Sequence, residues 1–491
     1  MIREFLKKRP IYVLLLSLFF VWHGFVYYFD LIPLKDASLL YLFFTGITLL
    51  LFFLSLLIFR RYNKAALFSF LLMLYYLFFG YFHDGLKQLS ANGFLSKYSF
   101  VLPFSLLLFV FIAIKLKRSK SSFIKANFYL NTLFIILLLL DAGLFISKAL
   151  KTGKQSITPS LSLLSCDSCA RPDIYLIVAD GYPGKTELNE VFNYDNSLFE
   201  QELSSRGFHV IDSSTSNYNF TPFSVSSMLN MEYLQGLHGS NSDKDDILKC
   251  YNTIKNNHTL QYLSNLGYTF YNYSIFDFKK QPSLAKPTFL PRKTRPLVSR
   301  TLRFRMQNEL GHLLVTRFKI RSIIKNLRNL DLKNNSKLFE RTKTIAAEHT
   351  ETPKFVYTHL VMPHYPYYFD STGKQNPYEI LTDEHARNQE AFIQYLVYAN
   401  RQYLQLIDHI LANSDKPPVI ILMGDHGFRE FGKPVDEKYH FMNLNAVLLP
   451  ARDYNQFYKG MSNINQFRIF FNTQFGQQLP LLKDSTSFLS E

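Results

Sequence analysis

Apolar residues are distributed unevenly along this chain. Five long apolar stretches fill the first third, whereas the rest alternates short apolar runs with polar segments. A bilayer crossing takes about 20 apolar residues, so we predict five transmembrane helices. The stretches are residues 11–31, 39–59, 65–82, 100–114 and 128–146. Four further spans after the first argue against a cleaved signal peptide.

The pattern changes after residue 171, where strand and helix patterns alternate. Strands are predicted at 173–180, 268–276, 354–361 and from Val419, and helices at 196–206 and 384–412. This order is typical of an α/β domain with a mostly parallel central sheet and catalytic loops at the strand ends. We therefore predict a transmembrane domain at 1–150, a linker rich in Ser and Thr at 151–171, and an outer domain at 172–491.

Basic residues indicate the orientation of the predicted spans. Twelve Lys and Arg precede the first span or lie in the loops after the second and fourth, against three in the opposite loops. Loops rich in Lys and Arg stay on the cytoplasmic side of a membrane. We therefore predict a multi-pass cell membrane protein with its N-terminus on the cytoplasmic side and its α/β domain on the extracytoplasmic side. Three lysines after the fifth span, on the predicted outer side, argue weakly against this orientation. They are Lys148, Lys151 and Lys154.

The charge balance argues against a nucleic-acid partner. The chain carries 54 Lys and Arg against 38 Asp and Glu, a net charge of +16. The first 155 residues hold 18 basic and 5 acidic residues, so +13 of that excess lies in the predicted membrane domain and the start of the linker. Residues 291–330 carry eleven basic residues and only Glu309 as an acid. That segment is interpreted either as basic amphipathic helices on anionic headgroups or as an ordinary solvated helix face.

Three cysteines are present. Cys166 and Cys169 are interpreted as a local disulfide in an oxidising compartment or as free thiols, and Cys250 as a core residue. A zinc knuckle would need a second Cys or His pair nearby, which the sequence lacks.

Asp180-Gly-Tyr-Pro-Gly184-Lys185-Thr186 resembles a phosphate-binding loop only superficially. It follows a predicted strand, but that motif needs a glycine where this chain has Ala179. Asp180 itself, an acid at a strand end, is the more informative residue.

Two further strand and helix ends carry chemistry. The Val419 strand stops at Asp425-His426-Gly427, where open α/β sheets place their active sites. An acid beside an imidazole suggests a metal site, and the alternative is a pair that caps a turn. Thr221, before Pro222, fits a helix N-cap. A hydroxyl at a helix N-terminus is also well placed to attack a phosphate.

Together, these parts resemble the alkaline phosphatase and sulfatase superfamily. The parts are the strand ending in Asp180, the Thr221-Pro-Phe-Ser helix start, the Pro-His364-Tyr-Pro loop, the long helix and Gly-Asp425-His426-Gly. Five spans before an outer domain are similar to the lipoteichoic acid synthases and phosphoethanolamine transferases of bacterial envelopes. The resemblance covers residues 172–450.

The resemblance implies that Asp180, Thr221, Asp425 and His426 bind a divalent metal, Zn²⁺ or Mn²⁺, and that Thr221 is the nucleophile. It implies a second metal site or a substrate site for three histidines, His359, His364 and His440; the alternative is an ordinary structural role for each. Sulfatases have Cys or Ser at the Thr221 position and Arg where this chain has Val225, which disfavours sulfate chemistry. Asp180 stands where the synthases and transferases use Glu.

The function expected from this resemblance is transfer of a substituted phosphoryl group, similar to phosphoethanolamine or phosphoglycerol, through a phospho-threonine. The donor would be a membrane lipid and the acceptor an envelope glycan or lipid. Five spans favour this, because a soluble substrate would need only one anchor. An extracytoplasmic phosphodiesterase, phosphatase or sulfatase-like hydrolase is one alternative, and an inactive envelope scaffold is another. Asp141, inside the fifth span, is costly in lipid and is interpreted as functional or as reaching the interface.

Overall fold

The chain folds into two compact units. The computed structural model describes residues 2–29, 32–89, 93–152, 161, 163–166, 168–237, 244–279, 281–284, 294–306, 321–381 and 385–490. One unit comprises Met1–Pro159 with Pro287–Ile324, and the other comprises Ser160–Lys286 with Lys325–Glu491. We call them the membrane unit and the sheet unit.

Helices make up the membrane unit and flank the sheet in the other. In chain order they are α1 Ile2–Lys8, α2 Tyr12–Tyr27, α3 Leu34–Phe59, α4 Tyr62–Leu89, α5 Tyr98–Arg118, α6 Ile124–Thr152, α7 Lys185–Phe192, α8 Ser197–Ser205, α9 Thr221–Asn230, α10 Lys244–Lys255, α11 His258–Asn265, α12 Arg295–Val298, α13 Leu302–Arg305, α14 Arg321–Ala347, α15 Gln389–Asn413 and α16 Gln466–Phe475. The six strands are β1 Ile174–Ala179, β2 His209–Val210, β3 Thr269–Tyr273, β4 Lys354–Leu360, β5 Val419–Gly424 and β6 Asn445–Leu448.

Among the described residues, four helices are long and apolar enough to cross a membrane. They are Leu34–Phe59, Tyr62–Leu89, Tyr98–Arg118 and Ile124–Leu150. The first predicted span corresponds to α2, which is apolar but only 16 residues long. The prediction of five spanning helices is therefore only partly confirmed: four qualify by length and composition, and the last two residues of the predicted first span lie outside the described residues.

The membrane unit is held together by apolar and aromatic packing, with polar contacts where chain segments meet. Tyr12 of α2 packs edge-to-face against Phe70 of α4, with ring centroids 5.2 Å apart. Asn131 of α6 accepts a hydrogen bond from the Tyr12 backbone N–H at 2.7 Å and donates to the carbonyl oxygens of Leu6 and Arg9. Two of these bonds, to the Tyr12 N–H and the Leu6 carbonyl oxygen, satisfy backbone groups beside the short break between α1 and α2.

Residues 294–306 also belong to the membrane unit. Leu297 fills the space beside Gly24, and the Arg300 carbonyl oxygen accepts a hydrogen bond from the Gly80 N–H at 2.6 Å. A Cβ on Gly80 would lie 2.8 Å from the Arg300 backbone, so this close approach requires glycine. Arg300 and Arg305 both pair with Asp84. Part of the basic segment is thus packed on helices, and its residues 307–320 lie outside the described part of the chain.

The sheet unit is built on a mixed six-stranded sheet in the order β2-β6-β5-β1-β4-β3. The pairs β1–β4, β1–β5 and β3–β4 are parallel, and β5–β6 and β2–β6 are antiparallel. The predicted sheet was mostly parallel. Its centre is parallel, but one edge is antiparallel, because β6 returns directly beside β5.

Alternate residues of β1 pack into two different hydrophobic layers, as a strand covered on both faces requires. Tyr175 and Ile177 lie in one layer with helix α15, and Leu176 and Val178 lie in the other with helices α9 and α16. All four side chains are completely buried. The central strands are therefore fixed in place by apolar contacts on both sides.

The three cysteines lie in the sheet unit, and the structure decides between a disulfide and free thiols. Cys166 and Cys169 form a disulfide, and Cys250 is free and buried, as predicted for a core residue.

Candidate active site

The candidate site lies at the carboxyl ends of three neighbouring strands. β1 lies between β4 and β5, and Ala179 at its end is in register with Leu360 and Gly424. The residues that follow β1 and β5, Asp180 and Asp425, therefore meet at the same edge of the sheet. This is where open α/β sheets place ligands.

Asp425 is fixed by backbone donors. Its Oδ1 accepts hydrogen bonds from the N–H groups of Gly181 at 2.9 Å and His426 at 3.0 Å. Gly181 reaches this position with a φ of +66°, a conformation that favours glycine. The second oxygen of Asp425, Oδ2, is buried and has no hydrogen-bond partner among the described residues. The backbone thus holds one oxygen of Asp425, and the other oxygen is available to a ligand that is not part of the described chain.

His426 is held in one tautomer. Its Nδ1 lies 2.7 Å from the Gly427 carbonyl oxygen, which can only accept, so Nδ1 carries the proton. Nε2 therefore presents its lone pair, and the Thr221 hydroxyl lies 3.1 Å from it and donates to it. Thr221 is the first residue of α9, and its side chain contacts His426 rather than capping the helix. The nucleophile predicted from the sequence lies against an imidazole acceptor.

Asp180, Asp425 and His426 fit a divalent cation. Their ligand atoms all lie within 4.8 Å of one another, and all three residues are buried. Asp180 Oδ1, like Asp425 Oδ2, is buried without a hydrogen-bond partner among the described residues. Two buried carboxylates with unsatisfied oxygens beside an available imidazole nitrogen form the donor set that Zn²⁺ or Mn²⁺ prefers.

The protonation states suit a cation site. Burial alone would raise the pKa of the Asp180 carboxyl, but His364 and His359 together hold that pKa below its ordinary value. Burial lowers the pKa of His426, which the nearby carboxylates only partly oppose. An ionised Asp180 and a neutral His426 are the forms in which these side chains bind metals.

His359 lies next to Asp180. It is completely buried on β4, with Nδ1 3.0 Å from the Tyr357 hydroxyl and Nε2 3.5 Å from Asp180 Oδ2. Its Nε2 has no hydrogen-bond partner within the described chain. His359 is therefore close enough to orient Asp180 or to contribute a ligand.

The other two histidines line the same region. His364, flanked by two cis prolyl bonds, donates from Nδ1 to the Tyr365 carbonyl oxygen at 2.6 Å, and its Cδ2 is 3.6 Å from the position of a Cβ on Gly181. His440 packs between Phe431 and Phe488, with ring centroids 5.0 and 5.2 Å away. Burial, with help from the Arg429 charge, lowers the pKa of His440 to about 4, so this imidazole is neutral at physiological pH.

The loop after Asp425 is supported by residues outside the cluster. Glu187 of α7, completely buried, accepts a hydrogen bond from the Phe428 N–H at 3.1 Å, and burial raises the pKa of its carboxyl well above the ordinary value. A Cβ on Gly427 would lie 2.1 Å from the Tyr439 carbonyl oxygen, so only glycine fits there. Ser224 of α9 donates to the Asp425 carbonyl oxygen. These contacts fix the position of the Asp-His-Gly turn.

Sequence reasoning missed Glu187, Phe220 and Arg429. The Arg429 guanidinium carbon lies 3.6 Å from the centroid of the Phe220 ring, and Phe220 directly precedes Thr221. A basic residue three positions after His426 was the available signal. In the rejected phosphate loop, Lys185 pairs with Glu200 at 3.1 Å.

Comparisons with known proteins returned structural likenesses alone. No protein-family model matches the chain, and no curated protein sequence matches it. The C-terminal periplasmic domain of EptC from Escherichia coli, also known in complex with Zn, is 12% identical with a TM-score of 0.41, covering 68% of this chain and 93% of that one.

Two other similar structures come from different proteins. The lipooligosaccharide phosphoethanolamine transferase EptA from Neisseria meningitidis is 12% identical with a TM-score of 0.38, covering 96% of this chain and 95% of its own. The putative sulfatase yidJ from Bacteroides fragilis is 11% identical with a TM-score of 0.41, covering 66% and 79%. At these scores the likeness does not establish an activity for this chain.

Proposed function

We propose that this chain is a membrane-anchored transferase that moves a substituted phosphoryl group from a membrane lipid to an envelope acceptor through a phospho-threonine at Thr221. The observation that carries the proposal is the 3.1 Å contact between the Thr221 hydroxyl and His426 Nε2, inside the buried cluster of Asp180 and Asp425. A hydroxyl at a helix start, beside two carboxylates and an imidazole, supports nucleophilic chemistry on a phosphorus centre.

Asp180, Asp425, His426 and the Thr221 hydroxyl would hold the cation, Zn²⁺ or Mn²⁺. When bound, it would supply positive charge that favours the Thr221 alkoxide and offsets charge on the phosphoryl oxygens. The chain's own residues do the rest. Gly181 and the His426 backbone fix Asp425, the Gly427 carbonyl oxygen fixes the His426 tautomer, and the buried turn keeps both carboxylates away from water.

The proposed reaction has two displacements. In the first, the Thr221 hydroxyl loses its proton and a bond forms between Oγ1 and phosphorus while the bond from phosphorus to the lipid oxygen breaks, and the departing oxygen takes up a proton. In the second, an acceptor hydroxyl loses its proton and attacks phosphorus, which returns the Thr221 hydroxyl. His364 and His440 are the candidates for proton transfer or substrate binding. Five predicted spans and an extracytoplasmic sheet unit suit a lipid donor.

The test is a mass measurement on the full-length protein. After incubation with total envelope lipids and Zn²⁺ or Mn²⁺, we expect a phosphoryl-bearing adduct on the Thr221 peptide, absent from Thr221→Ala and retained in part by Thr221→Ser. We expect Thr221→Ala to lower turnover by about a thousandfold or more, as loss of a nucleophile does. The mass of the adduct would identify the transferred group.

Two other outcomes contradict the proposal. Turnover of lipid with water as the acceptor, and no transfer to any envelope component, would make the protein a phosphodiesterase. No adduct, no turnover and no metal by elemental analysis would favour an inactive scaffold.

A further inference from the structure

Residues 479–490, which we call the tail segment, are fixed to the core of the sheet unit although no helix or strand runs through them. Three asparagine side chains hold the segment, and each accepts from the backbone N–H and donates to the carbonyl oxygen of a single leucine. The pairs are Asn472 with Leu479, Asn465 with Leu482 and Asn219 with Leu489, at distances of 2.8–3.0 Å. Irregular chain near the end of a domain is ordered when it is tied down in this way.

The last of these pairs lies close to the candidate nucleophile. Asn219 precedes Thr221 by two residues, and both Asn219 and Leu489 are buried. The Leu489 side chain packs in a small apolar cluster with Phe223 of α9. These contacts also fix the position of Phe488, the residue before Leu489, at this side of the candidate site.

Aromatic rings orient the His440 imidazole. It lies between Phe431 and Phe488, with ring centroids 5.0 and 5.2 Å away and interplanar angles of 89° and 71°. Its Nδ1 is buried without a hydrogen-bond partner among the described residues. The imidazoles of His364 and His426, in contrast, each donate to a carbonyl oxygen. Edge-to-face packing therefore gives His440 the fixed orientation that a hydrogen bond gives the other two.

The backbone of His440 is tied to the Asp-His-Gly turn. Its carbonyl oxygen accepts a hydrogen bond from the N–H of Gly427, the residue after His426, at 3.0 Å. This bond places His440 beside the site, but the direction of its ring depends on side-chain packing. Phe431 comes from the loop after β5, whereas Phe488 is supplied by the tail segment. Loss of the Phe488 ring would remove one of the two rings that hold the imidazole.

We propose that Phe488 is a positioning residue of the candidate site, and that the tail segment presents its ring to His440 and so holds that imidazole toward the phosphoryl substrate. This rests on the proposed function, in which His440 is a candidate for proton transfer or substrate binding. Phe488 needs no contact with the substrate. Its effect on the reaction should therefore pass through His440 alone.

The test is a double-mutant cycle on the full-length, metal-loaded protein, with the rate of adduct formation on Thr221 from vesicles of phosphatidylethanolamine or phosphatidylglycerol as the readout. We expect His440→Ala to lower this rate by about a hundredfold, as loss of a proton-transfer group does. Phe488→Ala should lower it by about tenfold, because the imidazole is misoriented but present. The variant with both changes should match His440→Ala within about twofold. Phe488→Tyr keeps the ring and should keep most of the wild-type rate.

Leu481→Ala is the matched control, because it removes an apolar side chain from the same segment at a position that is 44% exposed. Its rate of adduct formation should equal that of wild type. A second measurement, which needs no turnover, is the reaction of His440 with diethyl pyrocarbonate followed by peptide mapping. Phe488→Ala should uncover the imidazole and speed this modification, and Leu481→Ala should leave it unchanged. Bound zinc per chain should stay the same when Phe488 is replaced.

The failures are distinguishable. Effects that multiply, to about a thousandfold in the variant with both changes, would mean that Phe488 acts independently of His440 and overturn the positioning role. A wild-type rate in Phe488→Ala, or unchanged modification of His440, would overturn it as well. In each of these cases the adduct in wild-type protein leaves the proposed function intact. Wild-type protein that forms no adduct from either lipid with Zn²⁺ or Mn²⁺ overturns the proposed function, and the role of Phe488 falls with it.

Discussion

Buried charged groups in the membrane unit differ from those of the candidate site in the sheet unit. In the membrane unit, Lys64 donates to the carbonyl oxygens of Lys117 and Ser119, and Asp141 accepts from His23 Nδ1 at 3.0 Å. In the candidate site, Asp180 Oδ1 and Asp425 Oδ2 are buried without a hydrogen-bond partner among the described residues. A buried carboxylate oxygen that the protein does not satisfy costs stability unless something else binds it.

This difference shows which buried carboxylates identify the candidate site. Asp141 is the acid that the sequence marks as costly in lipid, yet its charge is satisfied by a neighbouring helix. Asp180 and Asp425 lie in an ordinary α/β core, yet each has one carboxylate oxygen without a hydrogen-bond partner among the described residues. An unsatisfied buried carboxylate oxygen is therefore a better guide to the candidate site here than a charge inside an apolar span.

The largest effect should come from neutralising one of the unsatisfied carboxylates. Asn at position 425 keeps an acceptor for the Gly181 and His426 N–H groups and removes one of two neighbouring negative charges. We expect Asp425→Asn to abolish zinc binding, and to stabilise the metal-free protein by about 1–3 kcal/mol. Elemental analysis and denaturant unfolding in chelator measure the two effects.

The control for that experiment is Asp408→Asn, which breaks the exposed ion pair with Arg206. It should leave zinc binding unchanged and lower stability by less than about 1 kcal/mol. A metal-free Asp425→Asn protein that is less stable than wild type would contradict the view that the protein leaves one oxygen of this carboxylate unsatisfied.

A medium effect should come from Glu187, a buried carboxyl that supports the site without joining it. Its pKa is raised in the folded protein by burial, so the folded state holds a proton that the unfolded chain loses above about pH 4.5. Stability from this group is therefore present at low pH and falls as pH rises. Glu187→Gln, which mimics the protonated acid, should match wild type near pH 5 and exceed it increasingly toward about pH 8.

Unfolding free energies across that pH range test this expectation. Glu437→Gln, at an exposed position, is the matched control and should run parallel to wild type. A constant difference between Glu187→Gln and wild type at every pH would mean that Glu187 stays ionised when the protein folds.

The smallest effect should come from the membrane unit. His23 is half exposed, so Asp141→Asn should lower stability by only about 0.5–1.5 kcal/mol, the range for polar contacts between membrane helices. The rate of Thr221 labelling per folded chain should not change. Lost labelling with unchanged stability would instead give Asp141 the functional role that its position in the sequence suggested.

Much of the fold was predictable because local patterns report it. The bounds of β1, β4 and α8 lie within two residues of the prediction, and β5 begins at the predicted residue. In each of these elements, neighbouring residues set the pattern of buried and exposed positions. The number of membrane spans was only partly predicted, because α2 is short and ends near residues outside the described part of the chain. The antiparallel edge was not predicted, since nothing within β6 specifies the direction of its neighbour.

The sequence by itself determined which residues end the strands and helices: Asp180 after β1, Thr221 at the start of α9, and Asp425 with His426 after β5. Only the tertiary structure decided that they meet. Thr221 and His426 are 205 residues apart, and they come into contact because β1 packs beside β5 with α9 against that layer. The sequence likewise did not predict the stacking of Arg429 on Phe220. Contacts between distant segments depend on how the whole core packs and not on the pattern of any one segment.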